Sequence, residues 1–389
     1  MTRLRIAHFL AHYPEPGGTT TAVRGLSRAL VRKGWEVVIY CSAQDQQPRA
    51  PDADAIELVR VGRPGRNPFH VDPDFLSRLL RNEDRIDLLI LHGIFNPANL
   101  ALGRAARRGG IPYVVCPHDP YHPELLRNGR WKKATYGLLF ERPFLKTAAA
   151  IQLLAEAHRV LLSNYGVCRP VFVVPNGFDP DEVPGSNGPD NGPCGRGGAD
   201  PRFLYLGRLD LHHKGLDLLL TALALGLRQG KLPKALRLDL VGPDCGDGSA
   251  LQALARRLNL TENVRFVGKI TDRSSYAIIA SYDVLVLPSR FDGFGLVVLQ
   301  AMVAGRPVVV SEQAGIATYV KQAHCGYVIE AGSESICHGL TRALETQNEW
   351  QNLGEKGKQF AYERLTWDNS AAQAYQQYSE LVSRMNAYG

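Results

Sequence analysis

Short apolar runs alternate along this chain with stretches whose apolar residues recur every three or four positions. Residues 5–10 form an apolar run of strand length. In residues 20–33, Val23, Leu26 and Leu30 follow helical spacing, and Gly34 ends the helix. Residues 35–41, 87–92 and 113–116 repeat the strand pattern. Strands that alternate with helices predict a parallel sheet with helices on its faces.

The rhythm breaks at residues 184–200, which hold six Gly and three Pro in 17 positions. That is the composition of a loop or linker. It then restarts, with strands expected at 203–207, 236–242, 264–267, 284–287 and 307–310. Helices are expected at 216–228, 251–258, around 276–279 and at 295–303. A polar helix over 368–387, apolar at Ala371, Ala374, Tyr375, Tyr378 and Val382, closes the pattern. The expected organisation is an α/β domain over 1–183, the segment 184–200, a second α/β domain over 201–366, and a C-terminal helix over 367–389 that packs back towards the first.

A length of 389 residues suits two domains, and 45% apolar with 21% charged residues suits a globular protein. No apolar run reaches the roughly 18 residues of a membrane span. The first residues run straight into a strand pattern, so a secretory leader is not expected. The seven cysteines are scattered and none is in C-x-x-C spacing, which argues against a disulfide framework or a zinc site and for reduced cytoplasmic thiols. The net charge of +7 is uneven: residues 1–183 carry 24 Lys and Arg against 18 Asp and Glu, and the remainder 21 against 20. The first half could thus meet an anionic partner, such as a membrane surface or a lipid diphosphate, or could be an ordinary solvated face. Trp131 beside Arg130, Lys132 and Lys133 suits a membrane interface or an exposed helix start equally. Basic runs interleaved with base-stacking aromatics are missing, so nucleic acid is not expected.

Three motifs carry candidate chemistry. Gly207-Arg208-Leu209-Asp210-Leu211-His212-His213-Lys214-Gly215 follows a strand and opens a helix. Two cations at the carboxyl end of a parallel strand lie where such sheets bind ligands, and suit a diphosphate. Pro288-Ser289-Arg290-Phe291-Asp292-Gly293-Phe294-Gly295-Leu296 is a strand end and a glycine loop before a helix whose first N–H groups can hold an anion. Asp292 lies just before that helix, as ligand or as cap, and Gln300 stands eight residues further on. That is about two helical turns, so both could face one side. Val173-Val174-Pro175-Asn176-Gly177-Phe178-Asp179 is a strand and an Asn-Gly turn. The first strand leads into Pro14-Glu15-Pro16-Gly17-Gly18, which is not the G-x-G-x-x-G of a dinucleotide-binding dehydrogenase.

Together these motifs, with Ala301-Met302-Val303-Ala304-Gly305-Arg306-Pro307-Val308, resemble the retaining family 4 glycosyltransferases (glycosyl transferases group 1). The resemblance covers residues 203–370 well and 3–183 loosely. It implies the α/β GT-B fold, two Rossmann-like domains facing each other across a cleft. It implies transfer of a hexose, with retention and without metal, from a nucleoside-diphosphate sugar to a glycan or lipid-linked glycan in polysaccharide biosynthesis. It implies no cofactor, the nucleotide sugar being a substrate, and a cytoplasmic enzyme, peripheral at the inner membrane face if the basic half meets lipid. Arg208 and Lys214 would neutralise the diphosphate. The N–H groups of Phe294, Gly295 and Leu296 would bind phosphate or sugar hydroxyls. Asp292 would contact the donor sugar and Gln300 the nucleotide ribose. Gly17 and Gly18 would let the backbone approach the donor, and His118 would face the transferred sugar.

The chain departs from the family at the E-x7-E pair, which here is D-x7-Q. Aspartate keeps the charge on a stem shorter by one methylene, and glutamine keeps an acceptor and adds donors. Residues 314–318 also lack the family's Gly-Gly-x-x-Glu. The sequence therefore also admits a catalytically weak or inactive nucleotide-sugar-binding partner subunit, or a GT-B sugar-nucleotide epimerase. D-x-D occurs at Asp52–Asp54, Asp72–Asp74 and Asp179–Asp181, and all three are expected to be solvated or capping carboxylates rather than metal ligands.

Overall fold

The computed structural model describes residues 3–13, 17–42, 56–62, 70–119, 121–127, 129–184 and 200–388. They form two compact units, residues 1–177 with 367–389, and residues 178–366.

The first unit is built on seven parallel strands: β1 (Arg5–Phe9), β2 (Glu36–Cys41), β3 (Glu57–Arg60), β4 (Leu88–His92), β5 (Tyr113–Cys116), β6 (Ala150–Leu153) and β7 (Val171–Val173). Their order is β3-β2-β1-β4-β5-β6-β7. Strands β4, β5 and β6 are buried along their whole length, as expected of a parallel sheet covered on both faces, and are mostly apolar. The chain winds outwards from β1 to β3, then returns to place β4 on the other side of β1. Open sheets bind ligands beyond the carboxyl ends of the strands at such a reversal.

The helix Trp367–Tyr388 belongs to this unit. It packs on the helix Gly18–Arg32, where the Trp367 indole covers Gly25 so closely that a Cβ there would sit 2.1 Å from a ring atom. Tyr375 stacks on Trp35 at 4.4 Å between ring centres, and the buried Tyr378 hydroxyl donates to Gln152.

The second unit holds six parallel strands: β8 (Arg202–Leu206), β9 (Arg237–Val241), β10 (Val264–Gly268), β11 (Val284–Leu287), β12 (Val308–Ser311) and β13 (Gly326–Ile329). The order β10-β9-β8-β11-β12-β13 puts its reversal between β8 and β11. The chain enters this unit at Phe178, ahead of the 184–200 segment. Phe178 pairs with Thr366 as a bridge, and its ring meets Tyr362 at 5.0 Å. Residues 185–199, most of the expected linker, lie outside the described residues.

Candidate functional site

Both reversals are occupied by residues singled out above. In the second unit the turn after β8 and the loop after β11 are locked together. Gly215 has φ 64, and a Cβ there would lie 2.4 Å from the Pro288 carbonyl oxygen, so the close approach of the two motifs requires glycine. Arg290 completes the lock with a two-pronged pair to Asp217, at 2.7 Å on each oxygen, and a donation to the His212 carbonyl at 2.9 Å. Within the turn, Asp210 accepts from the His213 N–H at 2.8 Å and faces its ring nitrogen at 3.0 Å. Burial works against the Asp210 charge, but the His213 N–H and imidazole outweigh it and hold the carboxyl below its ordinary range.

Lys214 donates to Asp292 at 2.6 Å, both side chains being largely shielded. Arg208 is exposed, and its carbonyl accepts from Tyr205 at 2.7 Å. Burial raises the Tyr205 phenol, which also feels the carboxylates of Asp292 and Asp210 and the Arg208 cation. The structure therefore gathers Arg208, Lys214 and Asp292 beyond the carboxyl ends of the central strands β8 and β11.

Three expectations need correction. Asp292 and Gln300 do not share a helix face by periodicity, because the helix is Leu296–Val303 and its N-cap is Gly295, at φ 91. Asp292 stands in the preceding loop, where it accepts from the Phe294 N–H at 3.2 Å and its backbone bridges to Ala314. It is thus not the helix cap. The same bond occupies the Phe294 N–H, which leaves those of Gly295 and Leu296 at the open end of the helix. Gln300 is half-buried on the face it shares with Leu296 and Val297, while Val298, Leu299, Ala301, Met302 and Val303 are buried.

In the first unit a cavity of about 490 Å³ opens at the reversal between β1 and β4. It is lined by Gly17, Gly18, His92, His118 and Asp119, among others. Gly17 is the extended N-cap of the helix Gly18–Arg32, and a Cβ there would meet nothing within 4 Å. His118 is the central residue of a tight three-residue turn, in which the Asp119 N–H donates to the Pro117 carbonyl at 2.7 Å. Its φ of 58 lies in the left-handed region, which costs a non-glycine residue roughly 1–2 kcal/mol. Such strain is commonly stored at functional sites.

Behind His118 lie two histidines whose roles the sequence did not single out. His92 ends β4 and bonds His118 at 2.8 Å, and His8 in β1 bonds His92 at 2.9 Å. Burial lowers all three, His8 to about 3 and His118 to about 4, so they are neutral at ordinary pH. The Cys116 thiol joins His92 and His118, the donor atoms of these three residues lying within 4.8 Å of one another. Burial pushes that thiol up to about 12. Both ring nitrogens of His92 are engaged by the other histidines, so we assign the group to hydrogen bonding.

Of the D-x-D pairs, Asp72 caps the helix Pro73–Leu80 and Asp179 caps the short turn Pro180–Glu182, each through its side chain. Asp52–Asp54 lies outside the described residues. No helix among the described residues is long and apolar enough to cross a membrane.

The comparisons with known proteins fall on both units. The family described as Glycosyltransferase Family 4 matches residues 16–182, and that described as Glycosyl transferases group 1 matches residues 195–360. "Putative glycosyltransferase EpsF" of Bacillus subtilis (strain 168) is 30% identical over 322 residues, 79% of each chain. This chain belongs to the family 4, group 1 glycosyltransferases.

The glycosyltransferase is also similar, at 27% identity over 95% of its length and 96% of the relative's, to the "MMP alpha-(1->4)-mannosyltransferase" of Mycolicibacterium hassiacum. Its fold matches the crystal structure of Anabaena Alr3699/HepE in complex with UDP and glucose. The TM-score is 0.74 at 18% identity, covering 97% of this chain and 100% of that one. The architecture is therefore GT-B, with two Rossmann-like parallel-sheet domains. Both family models describe transferases, which favours transfer over the epimerase reading. The residues of the glycosyltransferase that the sequence did not flag are His8, His92, Asp217 and Arg290. A strand-end position was the available signal for His92, but the sheet order that brings β1, β4 and β5 together is not written in the local sequence.

Proposed function

We propose that this glycosyltransferase moves a hexose from a nucleoside-diphosphate sugar to a glycan or lipid-linked glycan, with retention and without metal. The observation that carries the proposal is the clustering of Arg208, the Lys214–Asp292 pair and the start of the helix Leu296–Val303 around the β8/β11 reversal. In this reading Arg208, Lys214 and the Gly295 and Leu296 N–H groups meet the charge that develops on the leaving diphosphate. One such prearranged contact is worth roughly 2.7–4 kcal/mol in rate. Asp292 contacts the donor sugar, Gln300 the ribose, and His118 positions the transferred sugar. Retaining glycosidases use a carboxylate nucleophile beside an acid. Cations and amides around the leaving group favour front-face attack instead, with the acceptor proton passing to a departing phosphate oxygen. Arg208 and Lys214 supply the positive charge that a metal would otherwise bring.

The acceptor side of the proposal draws on the segment Arg130–Tyr136, Gly137–Glu141 and Arg142–Thr147. Trp131 is 75% exposed, with Leu138 and Leu139 also exposed, beside a cavity of about 470 Å³ lined by Arg127, Arg130, Lys133 and Arg142. Apolar side chains among cations suit the interface of an anionic membrane.

Isothermal titration against a panel of nucleotide sugars and nucleoside diphosphates tests the donor site, with Arg208→Ala alongside. The expected result is one donor bound and its loss in the variant. Binding of none would move the partner-subunit reading ahead. With that donor, product anomer by NMR and activity in EDTA test retention and metal independence. Co-sedimentation with phosphatidylglycerol vesicles, reduced by Trp131→Ala and absent for phosphatidylcholine, tests the membrane side.

A further inference from the structure

The three histidines behind the first-unit cavity form an unbranched chain: His8 Nδ1 to His92 Nε2 at 2.9 Å, and His92 Nδ1 to His118 Nε2 at 2.8 Å. Successive rings lie 5.2 and 5.0 Å apart between centres. His92 and His118 both line the cavity, His118 from the loop after β5, and His8 is fully buried.

Proton counting decides the direction of this chain. A neutral imidazole has one N–H and one bare nitrogen. Burial keeps all three rings neutral, and the neighbouring Cys116 thiol is neutral as well. Three neutral rings carry three ring protons, and two of these fill the two histidine–histidine bonds. The third must sit at one end, on His8 Nε2 or on His118 Nδ1. His8 Nε2 is buried and without a hydrogen-bond partner among the described residues. An orphaned buried N–H is rarer than an orphaned buried acceptor, and a proton on His8 Nε2 would be such an orphan. On His118 Nδ1 the proton occupies the one ring nitrogen left for a ligand in the cavity.

We propose that His8 and His92 are positioning residues that fix His118 as its Nδ1–H tautomer, so that His118 offers a neutral donor to a sugar oxygen and does not act as a base. His8 accepts nothing at Nε2, donates from Nδ1 to His92, and His92 donates from Nδ1 to His118. The partner of one ring nitrogen fixes the state of the other, and here it does so twice in series. The ligand implied is an uncharged acceptor, a hydroxyl or ring oxygen, rather than a phosphate. This part rests on the reading that His118 meets the transferred sugar.

The test is ¹⁵N NMR of the whole wild-type protein labelled at histidine, near neutral pH. The expected spectrum has His8, His92 and His118 all protonated at Nδ1. A His118 protonated at Nε2, or carrying both protons, overturns the relay. His92→Phe removes the link and is expected to release His118 into a mixture of tautomers. His92→Asn, whose amide can stand at the Nδ1 position, is expected to restore the Nδ1–H form. In titrations, His92→Phe should weaken an intact nucleotide sugar by about tenfold, the range of one neutral hydrogen bond, and leave the free nucleoside diphosphate unchanged. If the tautomers are as expected but sugar binding does not move, the relay stands and the placing of the sugar at His118 is what fails.

Discussion

Buried behind the cavity at the reversal between β1 and β4 are three uncharged imidazoles. At the reversal between β8 and β11 the side chains are Lys214, Asp292, Asp210, Asp217 and Arg290, every one charged and paired. The two places are equivalent in topology, and each carries a glycine beside a strand end. They differ in how far water is shut out. His8 and His92 sit inside the sheet among apolar strands, where a charge would go unsolvated. The second site is half open, so its charges keep partial solvation and hold one another. The comparison teaches that the fold supplies the position and burial selects the chemistry. Neutral donors suit sugar oxygens, and half-buried ions suit a diphosphate.

Acid should separate the two sites most strongly. Each histidine has its folded value below the ordinary 6.5, so the unfolded chain binds more protons as pH falls through 6.5. Stability from this source is complete above 6.5 and declines towards about 4 for His118 and about 3 for His8. The slope is up to about 1.4 kcal/mol per pH unit for each group. Asp210 is also depressed, from 3.8, so its contribution is present above 3.8 and is lost only below it. Hydrogen exchange on the full chain between pH 6.5 and 4 should show β1, β4 and β5 losing protection before β8 and β11. Equal loss in both units would remove the distinction.

A second, smaller effect should come from Lys214→Met. Loss of a charge-assisted contact is expected to weaken nucleoside diphosphate binding by about 10–100-fold. The apparent Tm should fall as well, because Asp292 loses its ion partner. Binding within twofold of wild type by titration would mean that this lysine serves only to hold the loop. The smallest change is expected from Asp217→Asn, which breaks the half-buried two-pronged pair with Arg290. A cost of about 1 kcal/mol in urea unfolding is expected, with a modest loss of donor affinity as the two loops loosen.

How much of this was legible depended on whether the cause was local. The strands at 113–116 and 284–287 and the helix at 216–228 match the observed elements in both bounds, because apolar period and turn residues mark them directly. Arg208, Lys214 and Asp292 could be picked out as candidates because each follows a strand in a recognisable turn. Gln300 was paired with Asp292 through a helical count that the structure does not support, since Gly295 resets the chain before the helix begins. His8 and His92 were given no role because an isolated histidine in an apolar strand reads as an ordinary core or surface residue. Their partnership exists only once β1, β4 and β5 lie side by side. The Arg290–Asp217 pair escaped for the same reason, its members belonging to loop and helix far apart in sequence.

Trp367 lies against Gly25, and Tyr378 reaches Gln152, so the last helix is part of the first unit's own packing. On the ribosome the residues that it covers are made first and the helix itself last. At roughly 5–20 residues per second, the intervening second unit takes about 10–40 s to synthesise. Through that interval the surface around Gly25 and Trp35 waits uncovered. The second unit, whose chain is continuous from Phe178 to Thr366, can finish folding before the first.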